Sequence, residues 1–130
     1  MIFRHFTPIE NLPSILSDGY LKARENPDVS DNGCVSLEEY KGNEFILKCF
    51  TIQEVYNKNN LIPLFFDGDK MEQDGLQFKN TNYSKAENLI YVNDGTITQE
   101  EYEQIGNYYF HVGNLSLDYL TEETKERIGY

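Results

Sequence analysis

Cysteine, histidine and basic residues are all scarce in this chain, and each shortage closes off a class of function. Only two cysteines, Cys34 and Cys49, occur in 130 residues. They lie in separate apolar segments without CxxC spacing, so neither a disulfide framework nor a zinc ribbon is expected, and both should be buried, reduced thiols. The two histidines, His5 and His111, are far apart and no HExxH accompanies them, which leaves zinc without support and predicts a protein that uses no metal. Lys and Arg total 11 against 22 Asp and Glu, a net charge of −11. That balance argues against direct nucleic-acid or membrane binding and favours, at most, partners with a basic surface. No apolar run approaches the roughly 20 residues that span a bilayer, and Met1-Ile2-Phe3-Arg4-His5 lacks the basic-then-apolar order of a signal peptide, so a cytoplasmic location is expected. No Walker loop, GxSxG elbow or GxGxxG fingerprint follows any strand candidate. The turn from Asp67 to Glu72 opens like a calcium loop, but Met71 and Glu72 stand where that loop needs an oxygen ligand and a glycine.

Aromatic residues are abundant instead. Ten Tyr and eight Phe supply the large apolar surfaces that a disordered chain lacks, despite a mean hydropathy of −0.60. The length suits one domain, residues 1–130. Ile2-Phe3-Arg4-His5-Phe6 alternates with the period of a half-buried strand, so His5 shares the face of Phe3 and Arg4 takes the other. Thr7-Pro8-Ile9-Glu10 reads as a capping box opening a short helix, with Ile9, Leu12, Ile15 and Leu16 as its stripe, Pro13 as an internal bend and Gly19 as its stop. Further strands are predicted at Cys34–Leu37, Glu44–Ile52, Leu61–Phe66, Leu76–Phe78, Glu87–Val92 and Tyr108–Val112. Turns are expected at Asp67-Gly68-Asp69, Gln73-Asp74-Gly75 and Asn93-Asp94-Gly95. Thr98 and Glu101 form a second capping box whose helix ends at Gly106, and Thr121 caps a final helix over Glu122–Ile128. Short strands outnumber short helices, which predicts an α+β fold with a small, mainly antiparallel β-sheet core.

One stretch departs from the acidic background. Arg4, His5, Thr7, Lys22 and Arg24 gather cations and donors near the amino terminus, as an anion site would, although a hydrogen-bonded strand histidine and ordinary surface charges have the same appearance. From Arg4-His5-Phe6-Thr7-Pro8-Ile9-Glu10-Asn11-Leu12 through Ile15-Leu16 to Gly19, the chain resembles the first motif of the ADP-ribosyltransferase superfamily, above all its DarT-like and related phage or defence-associated branches. There a strand ending in His-aromatic-Thr leads into an Ile-x-Asn-Leu-x-x-Ile-Leu helix and a glycine stop. Cys34-Val35-Ser36-Leu37 sits where that superfamily often carries Val-Ser-aromatic-Thr, with Leu37 and Glu38 departing from the pattern. Ala86-Glu87-Asn88-Leu89 is the best match to its later carboxylate-bearing strand.

The resemblance implies an ADP-ribosyltransferase-like fold and NAD as substrate. Cleaving the bond between nicotinamide and ribose develops oxocarbenium-like charge, which a nearby carboxylate stabilises, and Glu87 would have that role. His5 would donate to a ribose hydroxyl of the adenosine half, and Arg4, Lys22 or Arg24, with Thr7 close by, would face the pyrophosphate. Ser36 would hold the nicotinamide ribose and Tyr40 would stack on the nicotinamide ring. The expected activity is mono-ADP-ribosylation of a protein acceptor. A different class of function also accommodates the acidity: a small inhibitor, phage-encoded and directed against host defence, that blocks a basic nucleic-acid-handling enzyme by presenting carboxylates like a phosphate array.

Overall fold

Strand β1 (Ile2–Pro8) lies near the middle of the fold, and its alternating sequence sets the two sides of the sheet. The computed structural model describes residues 1–28, 31–42, 60–79, 92–103 and 107–130. Two further long strands, β3 (Cys34–Glu39) and β4 (Leu61–Asp67), flank β1. With β5 (Phe78–Lys79) and β6 (Tyr108–Val112) they form a five-stranded sheet in the order β4-β1-β3-β6-β5, every adjacent pair antiparallel. A small second sheet pairs β2 (Tyr20–Leu21) with β7 (Leu115–Ser116). Short helices complete the described chain: α1 (Leu12–Asp18), α2 (Gly68–Gln73), α3 (Gln99–Glu103) and α4 (Glu122–Ile128). The α+β architecture with a mainly antiparallel sheet is therefore the one expected.

Phe3, Val35, Leu37, Leu64 and Phe66 project from one face of the large sheet into the core. There they meet Leu21 and Leu115 of the small sheet, Leu117, Leu120 and Ile128. Removing these side chains from water is the main stabilising term. The outer edge of β4 is covered by the carboxy-terminal segment: Thr121 N donates to Phe65 O at 2.9 Å and Leu120 bridges to Phe66, which blunts an edge that would otherwise invite another strand.

Several local expectations change under tertiary pairing. Thr7 and Pro8 do not open a helix. They continue β1, opposite Ile62 and Leu61, and a single 3-10 turn over Ile9–Asn11 precedes α1. Pro13 thus falls in the first turn of α1, where its missing N–H costs nothing, rather than bending the helix from inside. Gly19 does stop it, with φ +77° and its N–H on Ile15 O at 2.9 Å. Asp67 ends β4 and caps α2 by accepting from the N–H groups of Asp69 and Lys70, so the expected turn is a helix start and Met71 of the calcium-like stretch is a core residue. Gly68 is required there by close approach, since a Cβ would lie 2.6 Å from Met1 O. The strand expected at Leu76–Phe78 is shifted to Phe78–Lys79. Thr98 and Glu101 bond reciprocally at 3.0 and 3.1 Å, and Thr121 caps α4 through Thr124 N, as anticipated. The strands expected at Glu44–Ile52 and across residues 87–91, and the stop at Gly106, lie outside the described residues; Val92 itself is in a helical turn.

Candidate functional site

β1 pairs with β4 along all seven of its residues but with β3 at only two positions, Phe3↔Glu39 and Arg4↔Glu38. Hydrogen-bonded rungs of an antiparallel ladder recur at every second residue. Tyr40 N donates to Ile2 O at 2.9 Å, so that series runs through Arg4↔Glu38 toward Phe6 and Ser36. The pairing stops before it gets there. The Ser36 carbonyl instead accepts from the His5 imidazole, with Nδ1 at 2.7 Å.

That contact sets the state of the ring. A carbonyl can only accept, so Nδ1 carries the hydrogen and Nε2 of the neutral imidazole is an acceptor. His5 is half-buried. Burial pushes its pKa below 6.5, with the Ser36 bond opposing in part, which keeps the ring neutral near pH 7. Thr7 lies on the same face of β1 and is buried. Lys22 and Arg24 are exposed, and their segment is pinned to the start of β3. Arg24 N donates to Cys34 O at 2.9 Å, Gly33 N donates to Arg24 O at 2.7 Å, and Ala23 N donates to Asn114 Oδ1 at 2.8 Å. Arg24 pairs with Asp31 only loosely, Nη1 to Oδ1 3.5 Å with half of the arginine in solvent, a contact worth little. Ser36 lies two residues along β3 from Cys34. The structure therefore brings His5, Ser36 and the Lys22–Arg24 backbone to one stretch of β3.

Arg4 points the other way. Its Nε and Nη2 donate to Glu38 Oε2 at 3.2 and 2.9 Å. Both residues are 3% exposed. The guanidinium carbon lies 4.8 Å from the Phe6 ring centroid and 4.7 Å from that of Tyr40, and Tyr40 in turn meets Phe65 edge-on at 4.9 Å. Burial pushes the Glu38 carboxyl up, and the Arg4 charge only partly opposes it. Arg4 and Tyr40 are thus grouped with Glu38 across the sheet from the imidazole. Glu38 was not singled out in the sequence. Its signal was the alternation Val35-Ser36-Leu37-Glu38, which puts a carboxylate on the face of Arg4.

Glu87, the candidate carboxylate, lies outside the described residues, as does Cys49. Cys34 is buried with a free thiol that burial pushes up, the less reactive state. Among the described residues no group of three or more His, Cys, Asp and Glu could hold a metal ion, and no helix is long and apolar enough to cross a membrane.

Comparison of the whole architecture with solved structures finds DarT of Thermus sp. 2.9 in complex with NAD+, at a TM-score of 0.61 and 11% sequence identity, with 98% of this chain and 85% of that one covered. The chain has the fold of DarT. The complex of the same Thermus protein with carba-NAD+ agrees, at a TM-score of 0.60 and 13% identity over 98% of this chain and 86% of that one. No protein-family model and no curated protein matches the sequence. The DarT-like architecture is preserved at an identity where few side chains coincide, so the likeness is one of fold, and function must be argued from the site.

Proposed function

We propose that the protein is an NAD-dependent mono-ADP-ribosyltransferase acting on a protein acceptor. The observation that carries this reading is the neutral His5 imidazole, fixed by the Ser36 carbonyl where β1 stops pairing with β3, in a chain whose fold is that of a protein solved with NAD+. With Nδ1–H committed to Ser36, Nε2 accepts a hydrogen bond from a ribose hydroxyl of the adenosine half, rather than donating to it. Lys22 and Arg24 face the pyrophosphate with Thr7 near by. Arg4, held by Glu38, has no share in that role. Ser36 serves through its carbonyl, which fixes the His5 ring, and Tyr40, packed on the Arg4 guanidinium across the sheet, has no share in stacking on the nicotinamide.

Glu87 supplies the carboxylate for the reacting centre. As the bond from ribose C1′ to the nicotinamide nitrogen breaks, its electron pair leaves with nicotinamide and positive charge builds on the sugar. Glu87 stabilises that charge until the acceptor's nucleophile bonds to C1′ and gives up its proton. This chemistry needs no metal. A net charge of −11 favours an acceptor with a basic surface over nucleic acid, since each phosphate contact requires a cation.

Calorimetric titration with NAD tests the reading. The wild type should bind, and His5→Ala should bind about five- to tenfold more weakly, the worth of one hydrogen bond of about 1 kcal/mol. An absence of binding by the wild type would discard the enzyme reading and return the acidic inhibitor.

A further inference from the structure

Three alternate residues on the β1-facing edge of β3 take three different kinds of partner. Glu38 pairs with Arg4 of β1, the Ser36 carbonyl accepts from the His5 ring at 2.7 Å, and the Cys34 carbonyl accepts from Arg24 N at 2.9 Å. Arg24 therefore joins this edge two residues from the anchor of the imidazole, about 7 Å along the strand. Around it Leu21 is buried, Lys22 exposed, Ala23 half-buried and Arg24 exposed. That alternation belongs to extended chain and turns both cations to the same, outer side.

The segment that carries them crosses from one sheet to the other. The small sheet ends at Leu21↔Leu115, and the large one is reached only at Arg24, so Lys22 and Ala23 lie outside the paired residues of both. Asn114, which immediately precedes β7, closes the gap: its side-chain Oδ1 accepts from Ala23 N at 2.8 Å, 91 positions away in sequence. Its corner is tied to the same stretch from the far side, Gly113 N on Gly33 O at 2.8 Å and Gly33 N on Arg24 O at 2.7 Å. Asn114 is exposed, so it adds little to the core, and its effect falls on the residue it holds, which lies between the two cations. A segment fixed before a ligand arrives does not have to be ordered at binding. We propose that Asn114 is a positioning residue that holds Lys22 and Arg24 ready for the pyrophosphate of NAD. This rests on the NAD reading above, in which those two cations face the pyrophosphate.

The test is calorimetry with NAD on the whole protein in four forms: wild type, Asn114→Ala, Lys22→Ala with Arg24→Ala, and all three substitutions together. Asn114→Ala should bind about five- to thirtyfold more weakly, the equivalent of ordering one residue's backbone at binding. Added salt should narrow that deficit, because it screens the attraction of the cations for pyrophosphate, and in the form without both cations Asn114→Ala should change nothing further. Wild-type affinity in Asn114→Ala overturns the proposal and leaves the NAD reading standing. A deficit indifferent to salt, or undiminished without the cations, also overturns it. Full affinity in the form lacking both cations removes their assignment to pyrophosphate and the proposal with it, and failure of the wild type to bind NAD removes both readings. Amide hydrogen exchange on the wild type decides even if no variant folds: the Ala23 N–H should be protected, and exchange at the rate of an open chain overturns the proposal.

Discussion

Arg4 and His5 are adjacent on one strand and have opposite fates. Arg4 is sealed on one face of the sheet, charged, bonded twice to Glu38 and packed between two rings. His5, on the other face, is partly buried, neutral and tied through one nitrogen to a backbone carbonyl. In sequence both look like candidates for an anion site. The difference comes from where the β1–β3 ladder ends. Arg4 lies on its last paired rung and finds a cross-strand carboxylate, whereas His5 lies beyond it and replaces a lost backbone contact with its ring. A buried ion pair on the last paired rung holds the strand geometry where the ladder ends.

Breaking the sealed face should have the larger effect. Arg4→Ala abandons the buried Glu38 carboxylate, and we expect a loss of about 3–5 kcal/mol of stability in urea unfolding. Replacing the pair together, Arg4→Met with Glu38→Leu, should recover most of it, because two apolar side chains need no compensation. A single-variant loss under about 1 kcal/mol would mean that the pair is not sealed in solution.

The acid response of the two faces sharpens the contrast at smaller cost. Burial lowers the folded pKa of His5 below its ordinary 6.5, and does the same to His111. The unfolded chain therefore takes up protons first. The stability these neutral rings contribute is complete above pH 6.5 and is lost as pH falls through that value toward the folded pKa. Glu38 has the reverse sign: its folded pKa is raised above 4.5, so its contribution is complete below that value and is lost as pH rises through the folded pKa. Thermal melts from about pH 7.5 to about pH 5.5 should show a falling midpoint in the wild type and a shallower fall in His5→Gln. Parallel curves would assign the acid response to other groups.

Legibility in the sequence followed the range of the interactions. The Gly19 stop, the Thr98–Glu101 box and the Thr121 cap were readable because each is settled within a few residues. The alternation of β1 correctly put His5 with Phe3, since strand period needs no knowledge of partners. The Thr7 box failed because β4 extends the ladder through Pro8, a long-range pairing that overrides local capping. Asp67 was read as a turn for a related reason: Asp serves turns and helix caps alike, and the choice is fixed by Gly68 N bonding to Met1 O across the molecule. In the sequence Arg4 stands beside Lys22 and Arg24 as an alternative for the pyrophosphate because its partner, Glu38, is separated from it by 34 positions, a distance no local pattern spans.

The central claim is that the chain transfers ADP-ribose using a carboxylate that acts on developing charge, and transfer from labelled NAD tests it most directly, with wild type and Glu87→Gln assayed on the same basic protein acceptors. The account predicts label on protein with the wild type and a loss of roughly a hundred- to thousandfold with Glu87→Gln at nearly unchanged NAD affinity, since the charge matters mainly in the transition state. Equal transfer by both proteins, or no transfer by a wild type that binds NAD, would contradict it.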